Sequence, residues 1–101
     1  MQTDFRTYEI AKSFYQKCKE IDLKGASKNQ FDRASLSIVL NLSEGSARPT
    51  KKDRARFYFI AYASLRETRT ILDLNNIDKL DSIADKLSAH IWKLAHNPGG
   101  I

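Results

Sequence analysis

Residues 51–74 read KKDRARFYFIAYASLRETRTILDL, and this stretch decides the fold. It contains neither glycine nor proline, and apolar residues recur through it at intervals of three and four, which is typical of a helix. Thr50, followed three residues later by Asp53, resembles a capping box, so we expect the helix to begin near Lys51 and to end near Leu74. The predicted helix is about 36 Å long.

The same apolar spacing predicts three further helices around this one. Their expected bounds are residues 4–23, 27–45 and 78–96. The turns between them fall at residues 46–50, which include a proline, and at Asn75–Asn76. Because short connections force neighbouring helices to run antiparallel, the sequence predicts an all-α, antiparallel up-down four-helix bundle.

Composition limits the class of protein. A chain of 101 residues with 42% hydrophobic and 29% charged residues predicts one globular domain, residues 1–101. Its one cysteine, Cys18, cannot form an internal disulfide and is predicted to pack in the core. The first residues do not resemble a signal peptide, and the longest apolar run, residues 57–63, is far shorter than the ~20 residues that span a bilayer. A cytoplasmic location is therefore expected.

Residues 57–63, FYFIAYA, are apolar around the whole circumference of the predicted helix. If one stripe of this helix packs in the core of the monomer, the opposite stripe, Tyr58, Tyr62 and Leu65, has no partner within a four-helix bundle. These residues are either surface side chains without a role or, as we favour, the interface of a homo-oligomer. The stripe assigned to the intrachain core is Phe57, Ala61, Ser64, Thr68 and Ile71.

Positive charge is concentrated around the start of the third predicted helix. Residues 47–69 hold seven basic and two acidic side chains, an excess equal to the net +5 of the whole chain. A helix N-terminus with added cations attracts phosphate, so the pattern predicts nucleic-acid binding; the alternative is a solvated basic face. No zinc-ligand or helix-turn-helix pattern predicts base-specific recognition. The candidate phosphate-binding residues are Arg48, Lys51, Lys52, Arg54, Arg56, Arg66 and Arg69.

Four polar residues are expected to form a structural network between the second and third helices: Asn41, Glu44, Ser64 and Glu67. The two glutamates could alternatively serve as a catalytic or metal-binding pair. A di-metal bundle uses Glu-x-x-His motifs on facing helices, and this sequence has none. We therefore predict no catalytic residue, no metal site and no cofactor.

Two segments resemble a known family. Residues 34–48, ASLSIVLNLSEGSAR, and 52–67, KDRARFYFIAYASLRE, are similar to the bacterial four-helix-bundle family that includes proteins encoded in 23S ribosomal RNA intervening sequences. The sequence departs from the family pattern at Val39, Ser43 and Ala63, where proline, alanine and glycine are frequent. The matching positions are Asn41, Glu44, Gly45, Arg48, Asp53, Arg56, Phe57, Ser64 and Glu67.

The resemblance implies an assembly and partners. The family is related in fold to the accessory variability determinant proteins of diversity-generating retroelements, pentameric barrels that bind nucleic acid and a reverse transcriptase. The resemblance therefore implies a homopentamer without catalytic activity. Our leading hypothesis is a small oligomer that binds structured RNA or DNA through phosphate contacts. The rival hypothesis is a protein-interaction scaffold or accessory subunit for an acidic partner such as a reverse transcriptase; an enzyme or a membrane-surface role is less favoured.

Overall fold

The computed structural model describes the backbone of residues 2–100 and the side chains of residues 6–100. Over these residues the chain is all-α and contains no strand, which confirms the predicted fold class. The four helices are α1 (Gln2–Cys18), α2 (Gly25–Ala47), α3 (Lys51–Leu74) and α4 (Asp81–His96).

Each helix packs against its neighbours in the chain, and α4 closes the bundle by packing against α1. The molecule measures 43 × 23 × 17 Å along its principal axes. Contacts between α2 and α3 show their antiparallel register: the hydroxyls of Ser37 and Ser64 lie 2.8 Å apart, and Gly45 faces the ring of Tyr58. The predicted four-helix bundle is thereby confirmed.

The helix α3 has the predicted bounds because both of its ends are capped. The Thr50 hydroxyl accepts a hydrogen bond from the Asp53 backbone N–H at 3.2 Å. At the other end, Asn76 adopts the left-handed conformation with φ 59°, and the Ile77 N–H donates to the Leu72 carbonyl at 2.9 Å. This 6→1 bond after a left-handed residue is a Schellman motif, which stops the helix and starts the turn.

The other helices differ from their predicted bounds. The helix α1 stops at Cys18 because Ile21 and Leu23 both turn into the core, each 7% exposed, with Asp22 exposed between them. Burial of alternate residues is the period of extended chain and is incompatible with a helix. The helix α2 extends beyond both predicted ends, whereas α4 begins at Asp81, three residues later than predicted.

The core face of α3 is rotated by about 60° from the predicted face, and Ala61 and Thr68 belong to both. Tyr58 is 0% exposed and Leu65 is 1% exposed, so both lie in the intrachain core. The prediction that these two residues form an oligomer interface was therefore wrong, and Phe57 is only half-buried. The buried residues of α3 are Arg54, Tyr58, Ala61, Leu65, Thr68 and Leu72.

Cys18 packs in the core as predicted and is 2% exposed. Burial raises the pKa of its thiol to about 12, because the thiolate would be poorly solvated there. None of the four helices, over the residues that the structure describes, combines the length and the hydropathy that crossing a membrane requires.

Candidate nucleic-acid interface

Arg54 is a buried structural residue, 7% exposed. Its Nη1 donates to the Ser46 carbonyl at 2.8 Å and to the Arg48 carbonyl at 3.1 Å, and its Nε donates to the Pro98 carbonyl at 2.6 Å. The guanidinium therefore joins the α2–α3 turn to the segment that follows α4. The prediction that Arg54 binds phosphate was wrong, because its donors serve the protein's own backbone.

Arg48 and Arg56 both lie against the ring of Phe57. Their guanidinium carbons are 4.8 and 4.3 Å from the ring centroid, within the range of a cation–π contact. Each also makes an ion pair with a nearby acid: Arg48, which follows α2, with Glu44 at 2.6 Å, and Arg56 with Asp53 at 3.5 Å. The Phe57 ring thus contacts two guanidiniums at the surface.

Lys51 and Lys52 form the exposed first turn of α3. Neither makes an ion pair with any side chain that the structure describes. The unpaired backbone N–H groups of a first helical turn add to the positive potential there. We call the four cations Arg48, Lys51, Lys52 and Arg56 the basic end of the bundle.

Positive potential extends towards the α1–α4 side of the molecule. Burial lowers the pKa of His90 on α4, and the charges of Arg6, Lys86 and Lys93 lower it further. Because α1 starts and α4 finishes at the end of the bundle where α3 starts, Arg6 and Lys93 add to the cations there.

The two remaining predicted cations differ in their surroundings. Arg69 makes an ion pair with Asp85 at 2.7 Å, which links α3 to α4 and compensates its charge. Arg66 is exposed and has no ion pair with a described side chain. Arg66 therefore stays an unpaired candidate for phosphate binding, whereas the charge of Arg69, like that of Arg48 beside Glu44, is partly compensated.

Ser37 is the centre of a small polar network between α2 and α3. Asn41 Nδ2 donates to the Ser37 carbonyl at 2.9 Å and to its hydroxyl at 3.0 Å, and that hydroxyl lies 2.8 Å from the Ser64 hydroxyl. The structure thus joins two of the predicted network residues, Asn41 and Ser64, through Ser37, which lies one turn before Asn41 on the same polar stripe of α2.

Glu44 and Glu67 do not form a pair. Glu67 makes an ion pair with Arg33 at 2.7 Å, while Glu44 pairs with Arg48 near the other end of α2. Arg33 precedes Glu44 by eleven residues, so the carboxylates lie roughly 16 Å apart along the helix axis. The geometry does not support a shared catalytic or metal site, and no cluster of potential metal ligands occurs among the described residues.

The exposed apolar side chains lie elsewhere than the sequence predicted. Leu40 on α2 and Ile60 on α3 are 56% and 40% exposed, and Phe59 and Trp92 are 44% and 50% exposed on the α3–α4 side. Tyr62, the third predicted interface residue, is half-buried beside Trp92, with ring centroids 5.4 Å apart. On α3 the rotation turns Ile60 outward, whereas Phe59 lies away from the core in either orientation.

Comparison with known proteins identifies a family. Neither the curated proteins nor the solved structures include a significant match to this sequence. The profile of the family described as 23S rRNA-intervening sequence protein matches residues 2–97, nearly the whole chain. The chain therefore belongs to the 23S rRNA-intervening sequence protein family.

Proposed function

We propose that this protein binds structured RNA or DNA through phosphate contacts at the basic end. The proposal rests on Lys51 and Lys52, whose charges are not compensated by an ion pair with a described side chain in the first turn of α3. The guanidiniums of Arg48 and Arg56, both against the Phe57 ring, lie beside this turn. The family description refers to 23S rRNA, which is in keeping with a nucleic-acid ligand.

The arrangement suits phosphate rather than base edges. Guanidiniums fixed against Phe57 lose little side-chain freedom when they bind an anion. Lysine ammonium groups add flexible point charges, and the backbone N–H groups of the first turn point in the same direction. Contacts of this kind position a nucleic acid without reading its sequence, and they weaken as salt increases.

Fluorescence anisotropy at low salt tests the proposal, with a labelled RNA hairpin and a DNA duplex as probes. The variant Lys51→Glu, Lys52→Glu, Arg56→Glu is expected to bind at least about 100-fold more weakly, because each reversal removes a phosphate contact and adds repulsion. The matched control, Lys19→Glu, Lys24→Glu, Lys79→Glu, makes the same change in net charge at the opposite end of the bundle and should retain most of the affinity.

Equal losses in the two triple variants would contradict a localised site, because they would show that only net charge matters. If the wild-type protein binds neither probe at low salt, the nucleic-acid function is wrong. The rival function, docking of an acidic protein partner on the same cations, would then be the one to pursue.

We further propose that a second copy of the chain packs against the α2–α3 face. Ser37 and Ser64 are in contact, so one turn further along these antiparallel helices Leu40 comes close to Ile60. Exposed aliphatic side chains that form a patch usually mark a contact surface. The family resemblance implies five copies, and the α2–α3 face replaces the predicted Tyr58 and Leu65 as the place where they meet.

Light scattering tests this assembly. The variant Leu40→Glu, Ile60→Glu should be monomeric at a concentration where the wild type is an oligomer, because buried unpaired carboxylates oppose association. The variant Leu74→Glu removes another exposed leucine at the far end of α3 and should leave the assembly intact. A wild-type protein that is monomeric at micromolar concentration would rule the assembly out.

A further inference from the structure

We propose that the α3–α4 face is a stacking site for unpaired nucleobases of single-stranded RNA or DNA, centred on Trp92. The inference rests on the proposed function, since it assigns a ligand class to a surface next to the basic end. The two surfaces share the cations Lys52 and Arg56, but the aromatic residues are not part of the basic end, so substitutions at the rings test the stacking site separately.

Four aromatic side chains form a continuous cluster across the α3–α4 groove. Ring centroids lie 4.0 Å apart for Trp92 and His96, 5.4 Å for Phe59 and His96, and 5.4 Å for Tyr62 and Trp92. His96 Nδ1 lies 2.8 Å from the Trp92 carbonyl oxygen, which holds the imidazole beside the indole. We call Phe59, Tyr62, Trp92 and His96 the ring cluster.

The ring cluster is open to solvent despite these contacts. Trp92 is 50% exposed and Phe59 is 44% exposed, so a large part of each ring has no partner within the bundle. The rings are tilted against one another by 41° to 75°, so each exposed ring offers its own apolar face rather than part of a common plane. A ligand with an aromatic face can stack on such a surface and remove it from water.

Cations flank the rings along the surface of α3. Lys52, Arg56, Phe59, Ala63 and Arg66 are all exposed and lie within an arc of about 80° over a length of about 21 Å. Along this stripe Lys52 and Arg56 precede Phe59, and Arg66 follows it. The small side chain of Ala63 leaves space between Phe59 and Arg66. A single strand needs this combination, because its phosphates bind cations while its bases stack on aromatic faces.

The opposite end of the α3–α4 groove carries negative charge. Beyond Tyr62 and Arg66 the groove is lined by Asp73, Asp78 and Asp81. These carboxylates repel phosphate, so the favourable surface ends near Arg66. A bound strand is thus expected to run from the basic end across the ring cluster and to stop before the acids.

An unpaired base fits this surface better than a duplex or a second copy of the chain. Bases within a duplex already stack on each other and present only their edges, which cannot cover a ring. Another copy of this basic chain would bring like charges together around the rings. Stacking tolerates any base, which agrees with the absence of a base-reading motif.

Trp92 is the only tryptophan of the chain, so its fluorescence reports on this site directly. The probes are an oligothymidylate, an abasic strand of equal length, and a blunt duplex. Stacking predicts that the oligothymidylate quenches the tryptophan emission of the wild-type protein. The abasic strand has the same phosphates without bases, so it should bind through the cations and cause little quenching.

Two substitutions give a matched pair for affinity. Trp92→Ala should weaken binding of the oligothymidylate by about 5- to 100-fold and leave duplex binding at the basic end little changed. Trp92→Tyr keeps an aromatic face and should recover most of the affinity. Circular dichroism and light scattering establish that both variants keep the fold and the oligomeric state of the wild type.

Several results would overturn the stacking site. Binding of the oligothymidylate without quenching, or equal quenching by the abasic strand, would refute it and leave phosphate binding at the basic end intact. Dissociation of the wild-type oligomer by Trp92→Ala would show that another copy covers the rings. Failure of the wild type to bind any probe at low salt would overturn the proposed function and the stacking site together.

Discussion

Replacing Arg54 with alanine is expected to lower the free energy of unfolding by about 3 kcal/mol or more. The substitution removes a guanidinium that donates to the carbonyls of Ser46, Arg48 and Pro98, and it leaves these acceptors without their charged donor. It also leaves a cavity beside Tyr58, whose ring centroid lies 6.0 Å from the guanidinium carbon. Urea denaturation followed by circular dichroism measures the change.

Two other variants show that the loss comes from the geometry of Arg54. Arg54→Lys keeps the positive charge but cannot reach three carbonyls with one ammonium, so it should restore less than half of the lost stability. Arg56→Ala, two residues away and exposed, should cost less than about 1 kcal/mol. Similar losses for Arg54→Ala and Arg56→Ala would contradict the structural role of Arg54.

Gly45→Ala is expected to destabilise the protein by about 1 to 3 kcal/mol. Alanine normally stabilises a helix interior relative to glycine by about 1 kcal/mol, so the predicted sign is the reverse of the usual one. A Cβ at this position would lie 2.8 Å from Tyr58 Cε1 and 3.1 Å from Phe57 Cβ. Both neighbours belong to α3, so α2 and α3 would have to move apart.

Denaturation of three variants separates the close packing at Gly45 from effects on helix propensity. Ser43→Ala changes an exposed residue of the same helix and should leave stability nearly unchanged. Tyr58→Leu alone should be destabilising, yet combined with Gly45→Ala it should cost less than the sum of the two, because the shortest contacts, those with the Tyr58 ring, disappear. A Gly45→Ala variant as stable as the wild type would show that α2 and α3 do not approach so closely.

The sequence predicts α3 well because its end signals are local. The cap formed by Thr50 and Asp53 and the turn at Asn75–Asn76 depend only on neighbouring residues. The end of α1 was missed although the sequence contains a signal for it. In Ile21-Asp22-Leu23 the apolar residues alternate, and this pattern favours an extended chain over a helix.

The rotation of α3 could not be predicted from periodicity. Residues 57–63 are apolar all round, so several helix faces satisfy the pattern equally well. The buried face begins with Arg54, and a charged residue is normally expected on the surface. Its burial depends on three carbonyls, and that of Pro98 is 44 residues away in the chain.

The candidate site, too, is predicted only in part by the local sequence, because the rest depends on contacts between helices. The excess of positive charge in residues 47–69 is visible in the sequence, but which cations are compensated is not. Arg69 finds Asp85 on another helix, while Lys51 and Lys52 find no acid among the described side chains. The position of Trp92 beside Tyr62 likewise requires the packing of α3 against α4.

The basic residues between positions 47 and 69 therefore have different roles. Arg54 fixes the α2–α3 turn, and Arg69 links α3 to α4. We assign phosphate binding to the basic end and contacts with single strands to the stripe that continues to Arg66.

The salt dependence of nucleic-acid affinity tests the central claim most directly. The logarithm of the association constant should fall linearly with the logarithm of salt concentration, by about 0.7 to 0.9 for each phosphate contact. Lys52→Gln and Arg56→Gln should each reduce that slope by about one contact, whereas Lys79→Gln, at the other end of the bundle, should leave it unchanged. Slopes that stay the same in all three variants, or a wild-type affinity that does not respond to salt, would contradict phosphate binding at the basic end.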